Sequence, residues 1–210
     1  MFTYPKKYKF TEKWFDPMIP NWENLFKQYK TNNPPIKNVL EIGCYEGRAT
    51  IFLCENVLEE NVNYDIVDTF GGTLEESGMT GTAKRLGKDD FIYKNFTHNI
   101  SFHPQINFNI NRGFSQNILP DLVQQDKKYD FIYIDASHRA DDTFVDAYYA
   151  HKMLNPGGLI IFDDFMWKDP NQPHIINSPE LGIRMFFTMY DQDYQAVMQG
   201  YQIGVIKNKK

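Results

Sequence analysis

The sequence predicts an α/β protein: a doubly wound, mostly parallel sheet with a C-terminal antiparallel hairpin. Apolar residues alternate between strand-like runs and helix-like periodicity, as expected when helices cover both faces of a parallel sheet. A glycine-punctuated turn, Gly43-Cys44-Tyr45-Glu46-Gly47, joins the first apolar run to a helical stretch. The last two short runs flank Gly200, which reads as an antiparallel edge hairpin.

Taken in order, the candidate strands are Asn38–Ile42, Val62–Val67, Ile106–Ile110, Tyr129–Ile134 and Leu159–Phe162. Helical patterns fall between them, at Ala49–Leu58 (carried by Ile51, Phe52, Leu53, Val57 and Leu58), Ser115–Gln124 and Ala140–Leu154. Asn155-Pro156-Gly157-Gly158 stops the last of these and leads into Leu159-Ile160-Ile161-Phe162. A loop rich in Pro and Asn follows, then a helix near Glu180–Tyr190 and the closing strands Tyr194–Gln199 and Gln202–Ile206. Two segments lie outside this Rossmann-like sheet. Residues 1–37, with Trp14, Phe15, Trp22, Leu25 and Phe26, read as an N-terminal helical extension to a domain over 38–210, either part of a lid over the acceptor or a surface elaboration. Residues 69–104, punctuated by Gly71, Gly72, Gly78, Gly81 and Gly87, read as a lid-like insertion after the second strand.

Composition narrows the function classes. A chain of 210 residues suffices for one three-layer core and is too short for two. A net charge of −5 argues against general nucleic-acid binding, which needs clustered Lys and Arg. The one basic cluster, Lys207-Asn208-Lys209-Lys210, reads as a solvated tail. No run is long enough to cross a bilayer, and the first residues lack a signal-peptide core, so a cytoplasmic protein with no membrane partner is expected. Cys44 and Cys54 fit reduced thiols, with no C-x-x-C pair to suggest zinc. The aromatic residues near the N-terminus are the one hint of a homo-oligomer.

Ligands of open α/β sheets sit at the carboxyl ends of the strands, where glycine admits close approach to the backbone and a helix N-terminus faces the site. Here the first strand end carries Glu41-x-Gly43-x-x-x-Gly47, which lacks the first and third glycines of G-x-G-x-x-G and adds an acid. This resembles the cofactor loop of class I S-adenosylmethionine-dependent methyltransferases, with Tyr45 in the place of the family's usual middle glycine. The terminal antiparallel hairpin also matches that family, whereas dinucleotide-binding dehydrogenases end in a parallel strand. Asp68 ends the second strand about twenty residues on, where a carboxylate accepts from ribose hydroxyls; a turn or cap role is the alternative. After the third strand, Gly113-x-Ser115-Gln116 resembles catechol O-methyltransferase and its relatives. That resemblance gives Ser115 and Gln116 the adenine edge; Ser115 is also placed to cap the next helix. Arg48 is either a partner for the methionine carboxylate or an outward-facing helix residue.

Asp135 ends the fourth strand, His138 follows three residues later, and Asp163-Asp164 end the fifth. Adjacent parallel strands bring these carboxylates together, where they repel unless protonated or joined by a cation. An oxygen-only ligand set of Asp135, Asp163 and Asp164 suits Mg2+. The catechol-type enzymes use two Asp and an adjacent Asn; Asp164 stands in the Asn position and leaves Ca2+ or Mn2+ open. A divalent ion chelated by vicinal hydroxyls makes them nucleophilic, and His138 is the candidate base, with Asp135 beside the reacting atoms. Asp-x-x-His at this strand end is similar to the macrocin-type sugar O-methyltransferases and cephalosporin-hydroxylase relatives. The alternative gives Asp135 to the sulfonium side of the cofactor, or to a helix cap, and leaves His138 in solvent.

The cofactor set is therefore Glu41, Gly43, Tyr45, Gly47, Asp68, Gly113, Ser115, Gln116 and Asp135, binding S-adenosylmethionine. The expected function is methyl transfer to a small hydroxylated molecule, a sugar-like diol first and a catechol-like ring second. Two other classes stay open: a non-catalytic S-adenosylmethionine-binding protein, and a nicotinamide-dependent oxidoreductase.

Overall fold

The computed structural model describes residues 2–72, 90–171 and 173–209. Strands β1 (Asn38–Ile42), β2 (Val62–Asp68), β3 (Ile106–Arg112), β4 (Tyr129–Ile134), β5 (Leu154–Phe162), β6 (Tyr194–Met198) and β7 (Ile203–Lys207) form one sheet. Its order is β3-β2-β1-β4-β5-β7-β6, parallel through β5 and antiparallel in the closing hairpin.

The alternation of side chains along each strand separates two cores. On one face Val39, Tyr64, Phe131, Tyr133 and Leu159 meet helices α1 (Ile19–Asn32), α2 (Arg48–Asn56) and α3 (Phe91–Ile100). On the other, Leu40, Ile42, Ile132, Ile134, Ile160 and Phe162 meet α4 (Ser115–Gln124), α5 (Ala140–Met153) and α6 (Pro179–Tyr190). Near-continuous apolar strands are what burial on both faces requires.

Register positions the site. Ile42 pairs with Val67 and with Ile134, and Ile134 pairs with Phe162. The residues that follow, Gly43, Asp68, Asp135 and Asp163, therefore leave the sheet at one level along its carboxyl edge.

Two expectations need correction. Asn155-Pro156-Gly157-Gly158 lies inside β5 rather than before it; the pairing slips between Tyr129 and Phe131, and Gly157 takes φ +81° at the irregularity. The Asn155 amide donates to Asp130 and holds this stretch against β4. Second, α3 occupies part of the insertion read at 69–104, because Ile92 and Phe96, one helical turn apart, bury against the sheet. Of that insertion, residues 73–89, with Gly78, Gly81 and Gly87, lie outside the described residues. No described helix is long and apolar enough to cross a membrane.

The N-terminal segment is stitched to the sheet's helices. The Lys9 backbone exchanges hydrogen bonds with the Asn99 side chain, and Tyr8 Oη lies 2.8 Å from His103 Nε2. Arg48 pairs with Asp16 through two contacts of 2.6 and 2.7 Å while lying over the rings of Tyr4 and Phe10. Trp22 in α1 is fully buried against Phe15, Phe26, Phe52, Phe131 and Tyr133, and its indole donates to Gln202 at 2.7 Å. Trp22→Ala is expected to cost about 3–5 kcal/mol in urea unfolding, from the cavity left behind.

Candidate active site

The turn after β1 is built by close backbone approach. Gly43 sits at φ +82° and its N–H donates to Val67 O; a Cβ there stands 2.0 Å from the Asp135 carbonyl oxygen. The glycine is thus demanded first by the junction of β1 with β4. Tyr45 takes φ +52°, a left-handed backbone that explains why glycine is usual there in the family it resembles. Its ring packs against Trp14, with centroids 5.1 Å apart. Asp68 Oδ2 accepts from the N–H groups of Cys44 and Tyr45 at 2.6 and 2.9 Å, and Oδ1 accepts from Phe70 N at 2.6 Å. Asp68 thereby fixes the turn, with acceptor capacity left for a ligand.

Above this edge lies a cavity of about 1200 Å³. Gly43, Tyr45, Asp68, Gly113, Ser115, Gln116, Asp135, His138, Asp163 and Asp164 all line it. That volume exceeds what one drug-sized ligand needs and leaves room for a cofactor and an acceptor together.

Two residues of the expected cofactor set are not on its wall. Gly47, at φ +80°, starts α2, where a Cβ would press on the Phe96 ring at 2.9 Å. Glu41 is fully buried behind the turn, its Oε2 accepting from Thr50 and Tyr64 at 2.7 and 2.6 Å, while Oε1 has no hydrogen-bond partner. Burial pushes the Glu41 carboxyl up to about 7. A raised folded pKa contributes stability below the unfolded value, and that contribution is lost as pH rises through the folded one. The protein should therefore lose on the order of 3 kcal/mol between pH 4 and pH 8 from this group, and Glu41→Gln should flatten that slope in parallel urea titrations.

At the ends of β4 and β5 the acids converge. Tyr133 Oη lies 3.1 Å from Asp135 Oδ2 and hydrogen-bonds Asp163 Oδ2. Burial, then the charges of Asp163 and Asp164, hold the Asp135 carboxyl well above the usual range; burial, then Asp164, raise that of Asp163. His138 Nε2 sits 2.8 Å from Asp164 Oδ2, and the His138 ring packs on Trp167 with centroids 4.1 Å apart. Among the described residues, ligand atoms of Asp135, His138 and Asp164 lie within 4.8 Å of one another. Asp163, expected in this group, stands outside it: Oδ2 takes the Tyr133 hydroxyl and Oδ1 the Asp164 N–H at 2.7 Å. His138 is the third member of that group.

Further residues complete the wall. The segment containing Lys13, Trp14, Phe15, Pro17 and Met18 closes one side, and Tyr201, from the hairpin, another. Phe114 is 67% exposed and lines the cavity next to Ser115. An apolar residue inside Gly113-Phe114-Ser115-Gln116 was the available signal. Arg48 is engaged by Asp16 and is not on the wall.

A family model described as "Methyltransferase domain" matches residues 40–165, which span β1 to the end of β5. The chain belongs to this methyltransferase family. It is an S-adenosylmethionine-dependent methyltransferase of class I, and the sheet order above is that of its fold. A search of curated protein sequences found no match. Among solved structures, the methyltransferase is similar to an O-methyltransferase from Bacillus cereus in complex with S-adenosylhomocysteine, at TM-score 0.56 and 18% identity over 97% of this chain and 84% of that one. It is also similar to the O-methyltransferase NovP, at TM-score 0.60 and 14% identity, covering 91% of this chain and 79% of that one. The methyltransferase MycE, solved with Mg, S-adenosylhomocysteine and mycinamycin VI, aligns at TM-score 0.57 and 15% identity over 97% of this chain and 51% of MycE. At these identities the likeness is one of fold.

Proposed function

We propose that this methyltransferase transfers the methyl group to a hydroxyl oxygen of a small acceptor with two adjacent hydroxyls, and that a divalent cation assists. The observation that carries the proposal is the cluster of Asp135, His138 and Asp164 on the wall shared with the glycine turn. The donor set fits a cation: two carboxylates and an imidazole, with Asp135 destabilised by neighbouring acids. The room above Asp68, Ser115 and Gln116 fits a nucleoside cofactor.

When bound, S-adenosylmethionine supplies an electrophilic methyl carbon and a thioether leaving group. A bound divalent cation lowers the pKa of the hydroxyls it meets. Asp135 and Asp164 are the residues to hold it, with Mg2+ the first choice. His138 takes the acceptor's proton on its imidazole, and Asp164, 2.8 Å from Nε2, accepts from that nitrogen and stabilises the imidazolium that results. Trp14, Trp167 and Tyr201 give the acceptor flat walls and exclude water. A sugar-like diol is the preferred acceptor, a catechol-like ring the second.

His138 has a second reading, favoured by its place among the three ligand atoms. As a ligand its imidazole shifts preference from Mg2+ toward Mn2+. The test is transfer of labelled methyl from S-adenosylmethionine to sugar diols and catechols, after EDTA and after adding back Mg2+ or Mn2+. Activity restored by either ion supports the proposal, and undiminished activity in EDTA overturns the cation's part. His138→Ala separates the roles: a lower rate at unchanged Mn2+ affinity marks the base, and lost affinity marks the ligand.

A further inference from the structure

Gln116 has an amide with two chemically opposite ends, and the structure holds one of them. Its Nε2 donates to Asp142 Oδ1 at 2.7 Å. The other carboxylate oxygen, Asp142 Oδ2, accepts from Ser137 Oγ at 2.8 Å, and Ser137 Oγ accepts in turn from Arg139 N at 3.1 Å. Hydrogen-bond direction is therefore fixed along the chain. The backbone N–H can only donate, which turns the Ser137 hydroxyl hydrogen toward Asp142. A carboxylate accepts on both oxygens, so it must face the amide nitrogen of Gln116 and never its oxygen. Asp142 is itself placed in the first turn of α5 and lines the cavity with Gln116, Ser115 and Ser137.

We infer that Asp142 is a positioning residue that sets the Gln116 carbonyl as the cavity's hydrogen-bond acceptor, so that the pocket selects a 6-amino over a 6-oxo purine. The inference rests on the cofactor reading above, in which Gln116 meets the purine edge. An amino group at C6 donates to that carbonyl. A 6-oxo group sets two acceptors against each other and leaves both unsatisfied, a penalty that buried polar groups feel in full. Sequence reading did not single out Asp142, because a first-turn acid is ordinary helix chemistry.

The test compares S-adenosylhomocysteine with S-inosylhomocysteine by calorimetric titration of the full chain. The unmodified protein should favour the adenosyl compound at least tenfold. In Asp142→Asn the residue at 142 can donate as well as accept, the Gln116 amide is free to turn over, and the preference should collapse toward unity. Gln116→Met, which keeps Asp142 and removes the acceptor, should collapse it too and serves if the first variant does not fold. Equal weakening of both ligands with the ratio preserved would mean that Asp142 is only structural, and overturns the inference. So does an unmodified protein that binds both compounds equally. Failure of the unmodified protein to bind either compound strikes the cofactor reading instead.

Discussion

Asp135→Asn should abolish methyl transfer and at the same time stabilise the cation-free protein. Its carboxyl is buried beside Asp163 and Asp164, and both burial and those neighbours oppose its charge. Asparagine has nearly the same shape and no charge, so the repulsion disappears while the site keeps its packing. A gain of about 1 kcal/mol corresponds to roughly 2–4 °C in Tm for a chain of this size. Transfer should fall about 10²–10⁴-fold, the range for losing one essential polar group at a reacting centre. Mn2+ binding, read by proton relaxation, should weaken in step. A stabilised and inactive variant is the signature of a site that trades stability for chemistry. An unstable and inactive one would make Asp135 structural.

The second large effect is expected at Gly43. An alanine Cβ there meets the Asp135 carbonyl oxygen at 2.0 Å and Ala136 Cα at 2.6 Å, both backbone atoms, at a φ of +82°. Neither β1 nor β4 has room to move, since each is hydrogen-bonded in the centre of the sheet. Gly43→Ala should cost about 4 kcal/mol or more in urea unfolding, placing it among the rare severe substitutions. Gly71→Ala is the matched control, because its Cβ finds only ordinary contact with Thr69 Oγ1 at 3.5 Å. Equal stability of the two variants would contradict the close approach at the turn.

Much of the sheet was legible because burial on both faces leaves a long apolar run that few other arrangements tolerate. Asn38–Ile42 and Tyr129–Ile134 carry the same bounds in sequence and structure. Helix α3 was not legible: its apolar spacing follows a glycine-rich stretch that reads as loop. At the site, residues at strand ends could be placed from topology alone, since register aligns Gly43, Asp68, Asp135 and Asp163. Side-chain direction could not. Glu41 and Gly47 sit in the right motif yet face Tyr64 and Phe96, and Asp163 turns to Tyr133 while His138 joins the acids. These outcomes depend on hydrogen bonds and packing between elements distant in sequence, as does the wall formed by Trp14. The same holds for Arg48, whose partner Asp16 lies 32 residues away.

The most direct test of the central claim is thermal unfolding of EDTA-treated protein titrated with S-adenosylhomocysteine, then with Mg2+ or Mn2+. At one hundred times its dissociation constant the cofactor product should add about 2.7 kcal/mol, or roughly 5–10 °C. The cation should raise Tm further in the unmodified protein and have no effect in Asp135→Asn. A shift with S-adenosylhomocysteine that no cation extends would contradict the carboxylate site, and the absence of any shift at saturation would contradict the cofactor cavity itself.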